Sequence, residues 1–105
     1  MIKKIRNRID VKAIVSLLHQ PTTKAIHFGR EGIAKEMSFR KLPSGDFEVR
    51  ILNKVVDTGM AANVAVLAGL KRYIDVRYGT GTAQQFPFDP MASMILDCSS
   101  ISVET

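Results

Sequence analysis

The chain contains one cysteine, Cys98, and that scarcity removes two kinds of site. A single thiol closes no intramolecular disulfide and builds no zinc centre by itself, and it suits a reducing compartment, so a cytoplasmic location is expected. Long apolar runs are also missing. The charged start from Met1 to Arg8 leads only into a short apolar stretch broken by Asp10 and Lys12, with no small-residue cleavage site. Neither a signal peptide nor a membrane span is expected. Internal repeats and low-complexity tracts are absent, and no basic residue occurs beyond Arg77. No catalytic, metal or nucleotide motif stands out, so no cofactor, no metal and no enzymatic activity are expected.

What is present fits a globular domain. The 105 residues are 46% hydrophobic and 24% charged, a balance that argues against wholesale disorder. A chain of this length forms one domain and buries roughly 65% of its unfolded surface. Residues 1 to 77 hold all fifteen bases and seven acids, a balance of +8, whereas residues 78 to 105 hold three acids and no base, a balance of −3. This predicts an electrically polarised molecule.

The pattern of apolar residues predicts an α+β domain over residues 1–105, with a basic N-terminal segment at about 1–9. In that segment Ile2, Ile5 and Ile9 alternate irregularly with Lys3, Lys4, Arg6 and Arg8, which suits a helical stripe or a short strand. A continuous helix would put this stripe opposite the next one, Val11, Ile14, Val15 and Leu18, so the register breaks near Asp10. Asp10 is an N-cap candidate for a short helix from about residue 11 to His19, ended by Pro21. Lys24 to Arg30 suits a short strand with Ile26 and Phe28 on one face, because Gly29 and Gly32 disfavour a long helix.

The clearest signal is a β-hairpin within 33–56: alternating runs Ile33 to Leu42 and Phe47 to Val56 flank Pro43-Ser44-Gly45-Asp46. Placing Met37 and Phe39 on one face with Phe47, Val49 and Ile51 requires an odd loop length. A five-residue loop, Leu42 to Asp46, sets Arg40 against Glu48, whereas a three-residue loop opposes Arg40 to Arg50. Opposite charges across a strand pair favour the longer loop.

Asp57 and Thr58 are read as the cap of a central helix at about 58–73. Its large face is Val66, Leu67, Leu70, Tyr73 and Ile74, and its small face is Ala61, Ala65, Ala68 and Gly69. Gly69 predicts close approach by a neighbouring backbone. Residues 74–78 extend this helix or form a strand, and Gly79 and Gly81 mark a loop reaching Pro87. Asp89-Pro90 is a strong start for a short C-terminal helix carrying Met91, Met94, Ile95 and Cys98. The tail, Ser99 to Thr105, alternates around Ile101 and Val103 as an added edge strand.

Several residues invite a chemical reading and have a plainer one. Gly79-Thr80-Gly81-Thr82 resembles a phosphate loop only superficially, since a third glycine and a Walker lysine are missing and Phe86-Pro87 interrupts the helix that should follow. Cys98 lies on an apolar stripe, where it acts as a small hydrophobe rather than as a nucleophile served by His19 or His27. His19 is expected as a cation near a helix C-terminus, and His27 as a solvent-facing strand residue. Asn63 is expected on the large face of the central helix, bonded to loop backbone near the helix start. Phe28, Phe39 and Phe47 are expected in the core rather than stacked on bases. A winged helix-turn-helix fails because Gly29 and Gly32 spoil the recognition helix. An enzyme would need acids such as Asp57, Asp75 and Asp89 to converge.

The remaining signal is electrostatic. Lys3, Lys4, Arg6, Arg8 and Lys12 attract polyanions over a Debye length, and hairpin residues Lys35, Arg40, Lys41, Arg50 and Lys54 extend the patch. With Arg72, the cations Lys3, Lys4, Arg6, Arg8, Lys12, Arg40 and Arg50 form the expected binding set. The expected function is non-catalytic contact with nucleic acid or a nucleoprotein through phosphates. The alternative is a small adaptor or inhibitor, including one encoded on a mobile element, that docks on an acidic protein surface. A homodimer through the hairpin edge or the Met91 to Cys98 helix is compatible with either.

Overall fold

A computed structural model describes residues 2–4, 11–30, 32–85 and 100–105. In chain order the elements are β1 (Ile2–Lys4), α1 (Val11–Leu18), β2 (Ala25–Arg30), β3 (Ile33–Lys41), β4 (Phe47–Ile51), β5 (Lys54–Met60), α2 (Ala62–Tyr78) and β6 (Ser100–Glu104). All the strand pairs are antiparallel, and the order across the sheet is β1-β6-β2-β3-β4-β5. With both helices packed on the sheet, the protein is an α+β single domain.

The hairpin register follows from its chemistry. Met37 faces Ile51, Phe39 faces Val49 and Arg40 faces Glu48, with residues 42–46 as the loop. The loop closes on itself, because the Leu42 amide donates to the Asp46 carbonyl and the Gly45 amide to the Leu42 carbonyl. The strand expected to run from Phe47 to Val56 is instead two. Leu52 and Asn53 both adopt positive φ, 51° and 67°, and turn the chain between Ile51 and Lys54. Two left-handed residues between paired strands are the geometry of a two-residue hairpin loop, whose twist matches the strands it joins.

This second hairpin moves the central helix. Asp57 and Thr58 lie in β5 rather than at a cap, and α2 starts at Ala62 without a side-chain cap. It extends through residues 74–78 to Tyr78, and Gly79 at φ 114° ends it. Its buried stripe is Ala62, Ala65, Val66, Gly69, Leu70, Tyr73 and Ile74. Asn63 falls outside that stripe and is exposed, contrary to its expected place on the large face.

Gly69 permits a close approach, but by side chains rather than by backbone. A Cβ there would sit 2.5 Å and 2.9 Å from ring carbons of Phe39 and 3.0 Å from a methyl of Val49. The helix therefore lies directly on β3 and β4. Ile14 and Leu18 of α1 join the same core as Ile26, Phe28, Met37, Phe39, Phe47, Val49 and Ile101. Phe28 meets Phe39 edge to face, with ring centroids 5.7 Å apart, a favoured aromatic arrangement. The three phenylalanines are thus core residues, as their alternation predicts.

Two strand expectations change. β6 is interior, because β1 pairs with its other side: Ile2 faces Ser102 and Lys4 faces Ser100. β2, flanked by β3 and β6, is buried from Ala25 through Gly29, so His27 is inside and not solvent-facing. α1 ends at Leu18, one residue before His19, and the chain turns through Pro21. The Asp10 cap, Arg6, Arg8 and the expected helix from Asp89 to Cys98 lie outside the described residues.

Candidate functional site

Strand alternation divides the sheet into an apolar face under α2 and a polar face opposite it. On the polar face, His27 of β2 lies between Ser38 of β3 and Ser102 of β6, while Ala25 lies between Arg40 and Glu104. The small Ala25 lets the longer side chains meet across it. Arg40 grips Glu104 with two hydrogen bonds, Nη2 to Oε1 at 2.8 Å and Nη1 to Oε2 at 3.1 Å. His27 Nε2 lies 3.0 Å from Glu104 Oε1, and its Nδ1 lies 2.7 Å from Ser38 Oγ.

A carboxylate only accepts, so in the neutral ring Nε2–H donates to Glu104 and Nδ1 accepts from the Ser38 hydroxyl. The two hydrogen bonds from Arg40, joined by the one from His27, lower the Glu104 pKa from 4.5 to about 2. Serine, histidine and carboxylate in this order resemble an activated nucleophile. Ser38 is only 7% exposed, however, and sits mid-strand, so its hydroxyl serves His27 rather than a substrate. The arrangement satisfies polar groups that burial would otherwise penalise.

A second cluster gathers at the end of the sheet where β2 passes to β3. Glu36 is buried, and its Oε2 accepts from the Tyr73 hydroxyl at 2.8 Å and lies 3.1 Å from Arg30 Nε. Arg77 Nη1 donates to the Tyr73 hydroxyl at 2.9 Å. The Arg77 guanidinium carbon lies 5.8 Å from the Tyr73 ring centroid and 5.1 Å from that of Tyr78, within cation–π range. The Leu52 amide donates to the Glu36 carbonyl at 2.9 Å, which brings the tip of the β4–β5 hairpin, and with it Lys54, to the same end. Lys35, near the start of β3, lies at this end too. Among the described residues, one buried carboxylate therefore stands among Arg30, Lys35, Lys54 and Arg77.

The expected binding residues divide. Lys3 and Lys4 lie on edge strand β1, Lys4 at the Arg30 end because its partner Ser100 also pairs with Gly29. Lys12 is exposed on α1. Arg40 is held by Glu104, Arg50 by Glu48 and Arg72 by Asp57, the last with Nε 3.3 Å from Oδ2. Arg40 and Arg50 belong to the polar face and Arg72 to the helix side, so these three do not join in one patch. Asp75 is separately engaged by the Ala83 amide at 3.0 Å, and so does not meet Asp57 at a shared centre. The expected polarity also bends back on itself, since Glu104 of the acidic tail lies against Arg40 and His27.

Sequence reasoning missed Arg30, Glu36, Tyr73, Arg77 and Tyr78 as members of one site. Tyr73 and Arg77, four residues apart on a helix, carry the single readable sign of it. Among the described residues, no three His, Cys, Asp or Glu side chains gather as a metal requires, and no helix is long and apolar enough to cross a membrane. No family model, curated protein or solved structure matches the chain.

Proposed function

We propose that this protein is a non-catalytic nucleic-acid binder that holds phosphates with the basic end of its sheet. The observation supporting this is the sign of the charge that faces water. Among the described residues, Lys12, Lys24, Arg30, Lys35, Arg50, Lys54, Lys71 and Arg72 are exposed, whereas every described carboxylate is buried or half-buried. Arginine pairing draws Glu36, Glu48, Asp57 and Glu104 inward. Among the described residues, a partner that approaches the sheet end meets Arg30, Lys35, Lys54 and Arg77 with only the covered Glu36 to oppose them.

Binding by such a surface proceeds through release of counterions from the phosphate backbone, with little dependence on base sequence. Oligonucleotide affinity measured across a salt series tests this. Engagement of the four cations predicts that log K falls linearly with log salt, with a slope of about −3 to −4. A flat dependence, or no binding at low ionic strength, contradicts the reading.

A second reading has one observation in its favour. Leu52 and Val55, 52% and 49% exposed, flank Lys54, and apolar surface beside cations suits an acidic protein partner. Pull-down at moderate salt separates the two: a single stoichiometric protein partner that survives nuclease treatment supports docking on an acidic protein.

A further inference from the structure

We infer that Arg30 grips a phosphodiester end-on, with Nη1 and Nη2 on its two non-bridging oxygens, and that Glu36 is the positioning residue that aims it. This rests on the phosphate-binding reading above and adds the side chain that recognises the group. A guanidinium is a planar fork of donors, and two parallel hydrogen bonds to one phosphate give a strength and an orientation that an ammonium does not. Such a fork serves a ligand only while its donors are unspent.

By that measure the arginines differ. Arg40 spends Nη1 and Nη2 on Glu104, at 3.1 Å and 2.8 Å, so a carboxylate already holds the place a phosphate would take. Arg30 meets its carboxylate by the other edge, and its closest contact with Glu36 is Nε to Oε2 at 3.1 Å. Among the described residues its Nη1 and Nη2 make no hydrogen bond, and 42% of the side chain is exposed. Glu36 in turn is buried, and the Tyr73 hydroxyl donates to the same Oε2 at 2.8 Å.

The backbone accounts for this pairing. Arg30 follows the core residues Ile26 and Phe28 at alternate positions of β2, on the face under α2. Strict alternation with Met37 and Phe39 would send Glu36 to the opposite face. The pairing of β2 with β3 slips instead: Phe28 faces Met37 but Arg30 faces Ile33, which sets residues 34–36 against Gly29 alone. Extra residues of this kind re-aim a side chain, and Glu36 turns to Tyr73 of α2 and to Arg30. The acid thus orders Arg30 before any ligand arrives and leaves its fork unspent, which reduces the entropy lost on binding.

The experiment titrates the full chain with a short DNA duplex, at one salt concentration and then across a series. Arg30→Lys keeps the charge but has a single head group for both Glu36 and phosphate, so affinity is expected to fall about three- to tenfold with the salt slope unchanged. Arg50→Lys, a like change beside Glu48, is expected to leave affinity as it is. Two changes at Glu36 separate aiming from charge. Glu36→Gln and Glu36→Ala remove the same negative charge, and only glutamine keeps an oxygen for Arg30 and Tyr73. The alanine variant is expected to bind about two- to tenfold more weakly than the glutamine variant. A thermal melt of each variant confirms the fold, and Arg30→Lys, which alters an exposed side chain, decides the matter even if Glu36→Ala does not fold.

Arg30→Lys binding as tightly as the parent overturns this inference and leaves the phosphate reading standing. An equal loss in Arg50→Lys, or equal affinity of the two Glu36 variants, does the same. Absence of salt-dependent binding by the parent chain removes the inference together with its foundation.

Discussion

On the face that carries the helices, Ile26, Phe28, Met37, Phe39 and Val49 are sealed against α1 and α2, with Gly69 admitting the Phe39 ring to the helix backbone. The opposite face of the same strands presents His27, Ser38, Arg40 and Glu104, and there His27 bonds to both neighbouring strands while Arg40 and Glu104 meet across β2. One face gains its stability from apolar surface removed from water, the other from hydrogen bonds that keep burial from costing. The contrast also separates two kinds of cation. Arg40 is held within the sheet by Glu104, whereas Lys35 and Lys54 at the sheet end stay exposed.

The largest expected effect is on the apolar face. Phe39→Ala removes a ring with no exposed surface and leaves a cavity beneath Gly69, so urea denaturation should show a loss of about 3–5 kcal/mol. A loss under about 1 kcal/mol would mean that α2 does not rest on this ring.

On the polar face, His27→Ala strips Ser38 and Glu104 of a partner without opening so large a void. The expected cost is about 1–3 kcal/mol by the same measurement. His27→Ala as costly as Phe39→Ala would erase the distinction between the faces.

Acid should act on the polar face through Glu104. The Glu104 pKa is lowered to about 2 in the folded chain, chiefly by Arg40, so ionised Glu104 favours the folded state above the ordinary carboxylate range. That contribution is fully present above about pH 4.5 and disappears as the pH falls toward 2. Thermal unfolding across this window should show a smaller acid-induced decline in Glu104→Gln than in the parent. An identical decline would place the acid-labile groups elsewhere. Glu104 is one-third exposed, so solvent screening keeps this effect below those of Phe39 and His27.

Much of the apolar face was legible in the sequence, because Met37 and Phe39 share one face with Phe47, Val49 and Ile51, and with the Arg40–Glu48 pairing this fixes a register that the fold reproduces. The split between β4 and β5 was not. Leu52-Asn53 carries no glycine or proline to mark a turn, and leucine is an unusual residue for positive φ. That omission displaced the start of α2 and turned Asp57 and Thr58 into a false cap. The inward His27 was hidden for another reason, since its partner Glu104 lies 77 residues away and no local pattern links them. The basic end was illegible for the same cause: Arg30, Glu36 and Arg77 meet only once β3 and α2 are packed together. Counting cations along the chain found the charge but not the acids that hold Arg40, Arg50 and Arg72 in ion pairs.

The central claim is that the sheet-end cations bind phosphate while Arg40, Arg50 and Arg72, paired with carboxylates away from that end, do not. The most direct test is the salt dependence of oligonucleotide affinity for Lys35→Ala, Lys54→Ala and Arg50→Ala beside the parent chain. Loss of each lysine should lower the magnitude of the slope by about one, whereas Arg50→Ala, which removes a side chain paired with Glu48, should leave it near the parental value. Unchanged slopes in both lysine variants, or a slope carried by Arg50, would contradict it.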